Sequence, residues 1–314
     1  MIESPICSLL GIKYPLFQGG MAWIADGRLA SAVSNAGGMG IIAAGNSRPN
    51  DIREQIRIAR ELTDKPFGLN IMLMSRYADE IAQMACEEKV AAVTTGAGNP
   101  SKYMAAWKEA GIKVIPVVAS VAMAKLMARL GASALIAEGG ESGGHVGELS
   151  TMVLVPLVVD AVDIPVLAAG GIADGRGAAA AFMLGACGVQ MGTRFLSAVE
   201  CSIHPVYKEK ILKARDLCTT VTGKRIDHAQ RSLRTQYTRD FAKAEYGGAP
   251  DEELAQLSVG SFRLAVREGD LEKGCFLAGQ CAAMVNKEQT AAEIVTDVME
   301  GAEAVLKGAS KWVK

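Results

Sequence analysis

Short apolar runs recur at a nearly constant interval through the first two thirds of this 314-residue chain, and a stretch of helical period follows most of them. The runs at 16–18, 40–43, 68–72, 92–95, 114–118, 134–137, 166–169 and 188–191 suit strands buried on both faces. Between them, 26–36, 49–62, 77–88, 102–110, 120–129, 152–161 and 175–184 read as helices. Several open on Asp, Ser or Asn and close near a glycine, as helix caps require. Eight β-then-α units in about 190 residues is the tally of a closed (β/α)8 barrel. The short strands favour closure over an open doubly wound sheet, so the expected fold is α/β, a TIM barrel. A half-apolar composition with 5% aromatics and 34 glycines fits such a core of small side chains and short loops.

After Phe195 the rhythm breaks. Residues 201–273 are more charged and read as helices, for example over 207–215 and 229–245, with a turn at 247–250. They are expected to form a smaller helical lid or insertion domain over one barrel end. Residues 274–285 return to small apolar types, and 290–306 read as an amphipathic helix docked on the barrel wall. The division is therefore a cofactor-binding barrel over 1–200, a lid and substrate domain over 201–273, and a returning segment over 274–314.

A net charge of −1 argues against a nucleic-acid-binding surface. Seven scattered cysteines without a CxxC pair read as reduced thiols. Cys201-Ser-Ile-His204 has the spacing of half a zinc site, but no second pair matches it, so no metal centre is expected. The start of the chain lacks a basic segment followed by an apolar core, and no apolar stretch approaches a membrane span of roughly 18–20 residues. These features predict a cytoplasmic protein without membrane association.

The chemistry concentrates in 134–147, ALIAEGGESGGHVG, where an apolar strand runs into Glu138, five glycines and His145. Glycines let backbone approach a flat ligand closely, at about 0.5–1 kcal/mol each inside regular structure. His145 is one of three histidines and the only one set in such a loop. In barrels a phosphate commonly sits in the loops after strands seven and eight. Here these loops contain Gly170-Gly171 and Gly192-Thr193, whose N–H groups and the Thr193 hydroxyl suit a phosphate, helped by the following helix N-terminus. Asp174 reads as a helix cap. The sequence 38–43 matches the dinucleotide fingerprint GxGxxA, but a helix precedes it and a strand follows, the reverse of what the fingerprint needs. Polar or glycine positions at the other strand ends (Gln18 to Ala22, Asn70, Thr94, Glu138, Gln190) suit an amide-rich heterocycle. Heterocycle plus phosphate points to flavin mononucleotide.

Residues 17–26 (FQGGMAWIAD), 34–42 (SNAGGMGII), 70–75 (NIMLMS), 94–103 (TTGAGNPSKY), 141–147 (ESGGHVG), 168–175 (AAGGIADG) and 189–195 (VQMGTRF) together carry a specific resemblance. The chain resembles the FMN-dependent enoyl-acyl-carrier-protein reductases II, within the nitronate monooxygenase (2-nitropropane dioxygenase) superfamily, over nearly its whole length. The resemblance implies FMN at the strand C-termini, a homodimer, and NADH, or else NADPH, as electron donor. It puts the flavin ring against the backbone of Gly20, Met21, Ala22 and Trp23 and the side chain of Asn70, with Gln190 beside the ring. The phosphate falls to Gly171, Gly192 and Thr193, and His145 faces the substrate as the catalytic residue. A monovalent cation, K⁺ or NH₄⁺, is implied, with 274–286 as its carbonyl-rich segment. The implied reaction reduces a trans-2-enoyl thioester on acyl-carrier protein; the alternative is a nitronate monooxygenase or related FMN oxidoreductase using oxygen or quinone. Gln18-Gly19-Gly20-Met21-Ala22, in place of the Ala-Pro-Met-Ala type of first strand, favours the reductase branch. For an acidic carrier protein, Lys208, Lys210, Lys213 and Arg215, with Lys224, Arg225, Arg231, Arg234 and Arg239, are the expected basic docking surface.

Overall fold

A computed structural model describes residues 2–312; Met1, Val313 and Lys314, at the outer ends of the first and last segments proposed above, lie outside the described residues. Helix α1 (Pro5–Leu10) precedes eight parallel strands. The first six are β1 (Leu16–Gln18), β2 (Gly40–Ala43), β3 (Phe67–Met72), β4 (Ala92–Gly96), β5 (Lys113–Val118) and β6 (Leu135–Glu138). A two-residue strand, β7 (Gly144–His145), interrupts the series before β8 (Val166–Ala169) and β9 (Gly188–Met191) complete it. The connecting helices are α2 (Gly27–Asn35), α3 (Pro49–Leu62), α4 (Ala78–Glu87), α5 (Met104–Glu109), α6 (Val121–Arg129), α7 (Thr151–Val159) and α8 (Gly175–Met183).

The strands run in the order β1-β9-β8-β6-β5-β4-β3-β2, and the ends of this order meet. Met39 N–H donates to Leu16 O (2.8 Å) and Gln18 N–H to Met39 O (3.0 Å). This seam is short, and the fully buried Gln18 side chain extends it, its Oε1 accepting from Ile41 N–H at 3.2 Å and its Nε2 donating to Ile41 O at 3.3 Å. Gln18, grouped above with the strand-end polar ring, is thus a structural residue that closes the barrel.

Side chains alternate across the wall, as the pleat dictates. Ile41, Ile115, Ile136 and Leu167 fill the barrel with Phe17 and Met39, and Ile6 and Leu10 of α1 join this cluster. Their neighbours Ile42 and Val114, or Leu135 and Val166, pack outward under the helices.

Beyond β9 come α9 (Pro205–Leu212), β10 (Thr219–Thr222), β11 (Gln230–Leu233), α10 (Gln236–Tyr246), α11 (Asp251–Ser258) and α12 (Ser261–Arg263), then α13 (Ala291–Lys307). Helix α13 lies against α8 and α2 and so takes the place of the eighth barrel helix. Its approach to α8 is so close that a Cβ on Gly175 would fall 2.4 Å from the Gly301 carbonyl carbon.

The inserted segment differs from expectation. Residues 230–233 do not belong to a helix over 229–245; they form the middle strand of an antiparallel sheet β10-β11-β7. Strand partners from both sides satisfy this backbone, and β7 comes from the histidine loop itself, so local helical character is overridden by pairing. The lid therefore mixes helices with a small sheet. Tyr237, Phe241, Leu254 and Cys275 form its own small core. Among the described residues no helix is long and apolar enough to cross a membrane.

Candidate functional site

Close approaches between glycines and their neighbours draw the predicted residues to the C-terminal end of the barrel. A Cβ on Gly20 would lie 2.4 Å from Asn70 Cβ, and one on Gly19 would lie 3.3 Å from the Gln190 side chain. One on Gly192 would lie 3.6 Å from Met21 Sδ, and one on Gly171 would lie 3.2 Å from Glu141 Cβ. Asn70 Nδ2 donates to Thr94 Oγ1 at 3.0 Å, which fixes the amide between β3 and β4. Ala22 stands against Gly45, and Trp23 follows at φ 63°, a left-handed conformation uncommon for a non-glycine residue. Such strain persists only where surrounding structure over-determines it, and it clusters at binding sites.

The two glycine loops form a cradle. Gly170 and Gly171 adopt φ 96° and 73°, and Gly170 passes so close to Gly139 that a Cβ would meet its carbonyl oxygen at 2.7 Å. Among the described residues the N–H groups of Gly171 and Thr193 have no acceptor within the chain. Two free amides beside a hydroxyl are a donor set that fits a phosphate. The adjacent start of α8 adds less than expected, because Asp174 already accepts from Arg176 N–H and Gly177 N–H at 3.0 Å each. Thr193 does more than expected: its Oγ1 accepts from Gly279 N–H at 2.9 Å, tying the returning segment to the cradle. Glu141 braces the same loops from behind. Its carboxylate accepts from Thr151 N–H (2.9 Å) and Thr151 Oγ1–H (2.9 Å), and Thr151 Oγ1 also lies 2.9 Å from Gly170 O.

Glu138 keeps partial solvent access at the end of β6, yet the surrounding protein pushes its carboxyl up to about 7. Ser142, buried in the following loop, partly offsets this by a hydrogen bond to the Glu138 carboxylate.

His145 lies on β7 with part of its surface exposed, while its ring is crowded by the His228 ring at 4.4 Å. It does not titrate at its ordinary value: desolvation lowers its pKa, and the charge of His228 lowers it further. The two Nε2 atoms are 3.2 Å apart with the rings edge-on, and Gln230 Nε2 lies 3.1 Å from His145 Nε2 and 2.8 Å from His228 Nε2. Sequence reasoning missed His228 and Gln230. Assigning 229–245 to a helix hid them, and only the β7–β11 pairing brings them to the loop.

Most of the expected basic surface is engaged elsewhere. Lys208 donates to Ala198 O (2.9 Å) and pairs with Glu288 (2.6 Å), Lys213 pairs with Glu209, and Arg225 with Asp251. Arg231 and Arg234 hold the backbone at Gly140 and Thr219, Arg239 bonds Gln236, and Lys210 stands over Phe276. Of the nine, only Arg215 and Lys224 have side chains without a hydrogen bond, ion pair or ring contact among the described residues. His204 caps α9, its Nδ1 accepting from Val206 N–H at 3.2 Å, and burial pushes the Cys201 thiol up to about 12.

A sequence profile of nitronate monooxygenase matches residues 3–83 and 73–301. The chain belongs to the nitronate monooxygenase family. Its fold is also that of FabK from Thermotoga maritima, with a TM-score of 0.97 and 48% identity over 100% of both chains. A CoA-linked dehydrogenase of Mycobacterium tuberculosis, acting on a hydroxy-methyl-oxo-octahydro-indene-carboxyl-CoA, is 37% identical over 85% of this chain and 78% of its own. A probable nitronate monooxygenase of Staphylococcus aureus is 31% identical over 88% and 91% respectively. Members of the nitronate monooxygenase family are flavin-dependent oxidoreductases, and this chain is an oxidoreductase.

Proposed function

We propose that this protein is an FMN-dependent enoyl-acyl-carrier-protein reductase of type II fatty-acid synthesis, using NADH in preference to NADPH and working in the cytoplasm. The observation that carries this reading is the full-length likeness to FabK at 48% identity. The likeness to a dehydrogenase named for a CoA thioester supports thioester substrates as a class. A bound flavin would supply the hydride chemistry between the nicotinamide and the enoyl Cβ. The chain's residues do the rest. The amides of Gly171 and Thr193, with Gly170, Gly192 and the Thr193 hydroxyl, hold the phosphate. The Gly20–Trp23 backbone, Asn70 and Gln190 hold the ring, and Glu138 lies beside them at the end of β6. His145 orients the thioester and gives the proton to Cα. A K⁺ or NH₄⁺ ion bound by carbonyls of 274–286 would stiffen the segment that bonds Thr193 and, through Gln280 N–H, Glu141 O.

A homodimer is part of this proposal. Helix α7, TMVLVPLVV, leaves Met152, Val153 and Leu157 exposed on its outer side. A helix apolar on all faces belongs in an interior or an interface.

The competing reading, nitronate oxidation, is favoured by the family profile and the Staphylococcus relative. Anaerobic mixing separates the two. NADH should bleach the bound flavin, and crotonyl thioester should restore its colour within the turnover time. Anaerobic bleaching of the oxidised flavin by an alkyl nitronate, together with no recolouring of the NADH-reduced flavin by the thioester, would assign the chain to the monooxygenase branch.

A further inference from the structure

The lid carries a second imidazole to the histidine loop from 83 residues away, and it does so through a built support. Gln230 stands opposite His145 in the β11–β7 register, and Val146 N–H donates to Ala229 O at 3.1 Å. The turn before them is fixed by backbone that few residues tolerate. Gly223 is at φ 80° with a Cβ position 2.5 Å from His228 O, and Asp227 is at φ 52°. His228 N–H donates back to Gly223 O at 3.0 Å. Behind the turn, the buried carboxylate of Glu245 accepts from Gly223 N–H (3.1 Å) and Arg225 N–H (2.9 Å). A buried carboxylate satisfied only by backbone amides is an anchor, and here it anchors His228.

The three nitrogens of His145, His228 and Gln230 form a triangle with edges of 3.2, 3.1 and 2.8 Å. Along the His–His edge only one hydrogen fits, since two N–H groups at that separation would meet head to head. Two imidazolium charges at that distance also repel strongly. The pair therefore holds one proton at a time, shared between an imidazole on the loop and one on the lid.

We propose that His228 and Gln230 are positioning residues that make His145 half of a single-proton acid, with His228 returning the proton after each turnover. This rests on His145 acting as the proton donor, as argued above. In the step, an N–H bond of the protonated pair breaks and a C–H bond forms at the substrate Cα. The accompanying hydride comes from the nicotinamide by way of the flavin, and the neutral pair regains its proton from water. Glu141 and Glu148 on the loop, Lys224, Asp227 and Arg231 on the hairpin, and Glu245 on α10 are the other charged groups around the pair. His228 is the one charged group that bears on His145.

The test uses full-length, flavin-loaded enzyme in stopped flow, following reduction by NADH and reoxidation by crotonyl-CoA separately from pH 5.5 to 9. His228→Ala should leave reduction unchanged and slow reoxidation roughly 10- to 100-fold, less than the roughly 10²–10⁴-fold of a lost acid. Its surviving rate should fall off at lower pH than in the wild type, because the imidazole that shares the proton is gone. Gln230→Glu, nearly isosteric, should move that limb to alkaline pH instead, and it decides the matter if His228→Ala does not fold. The double variant His145→Ala/His228→Ala should be no slower than His145→Ala alone, as groups acting as a unit require. If His145→Ala is slow while His228→Ala and Gln230→Glu keep wild-type reoxidation and pH dependence, the pairing is overturned and the His145 assignment stands. If His145→Ala itself reoxidises at the wild-type rate, the assignment falls and the pairing with it.

Discussion

Gly20→Ala tests the contact on which the ring-binding corner is built. The added Cβ would lie 2.4 Å from Asn70 Cβ, 2.5 Å from Cγ and 2.9 Å from Oδ1. Two Cβ atoms cannot rotate away from each other, so either β3 or the loop after β1 must move by about 1 Å to restore an ordinary carbon contact. Overpacking of this kind costs about 1–3 kcal/mol. Moving Asn70 also breaks its 3.0 Å bond to Thr94, whose hydroxyl is fully buried, for about 1 kcal/mol more. The sum is about 2–4 kcal/mol, or a melting temperature lower by roughly 3–6 °C at this chain length. Flavin retention should fall in parallel, since the shifted amide is the one expected to bond the ring. Gly96→Ala is the control: it sits at the end of β4, on the same barrel rim, with nothing within 4 Å of its Cβ position. Calorimetry and the fluorescence of released flavin read both effects. Asn70→Gly should relieve the clash in the double variant and restore stability without restoring flavin; Asn70→Ala, which keeps the Cβ, should not. A Gly20→Ala protein as stable and as yellow as the Gly96→Ala control would refute this account of the corner.

Thr193→Ala should loosen the flavin and destabilise the chain by about 1–3 kcal/mol, because Gly279 N–H loses its acceptor. Thr193→Ser should keep most of both, as measured by flavin release and urea midpoint. Glu138 gives a pH dependence with a definite sign. Its folded pKa of about 7 lies above the unfolded value of about 4.3, so the folded state binds the extra proton. Flavin-free protein should thus lose on the order of 3–4 kcal/mol as pH rises from about 4.5 to above 7, and Glu138→Gln should flatten that slope in urea titrations. A rising slope for the wild type would contradict it. Met152→Asp on α7 should convert a dimer to monomer in sedimentation without bleaching the protein; an unchanged mass would move the interface elsewhere.

The barrel was legible because its signals are local. Two-sided burial makes strands such as Ile41-Ile42 and Leu135-Ile136 continuously apolar, and Asp26, Ser120 and Asp174 each cap the helix that follows through their own side chains. The glycine loops were legible for the same reason, since positive φ and close backbone approach are requirements of single positions such as Gly170. Their partners were not legible. Gln18 looked like a ligand-facing polar residue until the β1–β2 seam gave its amide two backbone partners on Ile41. The carboxylates and carbonyls that most of the lysines and arginines of 208–239 meet were equally hidden, since those partners lie on other turns and segments. His228 and Gln230 carried no motif, because strand pairing across 83 residues depends on which backbone is left unsatisfied after the barrel has closed. Spacing in the sequence determined the eight β/α units and the one histidine in a glycine loop. Tertiary pairing alone decided that this histidine faces a second one.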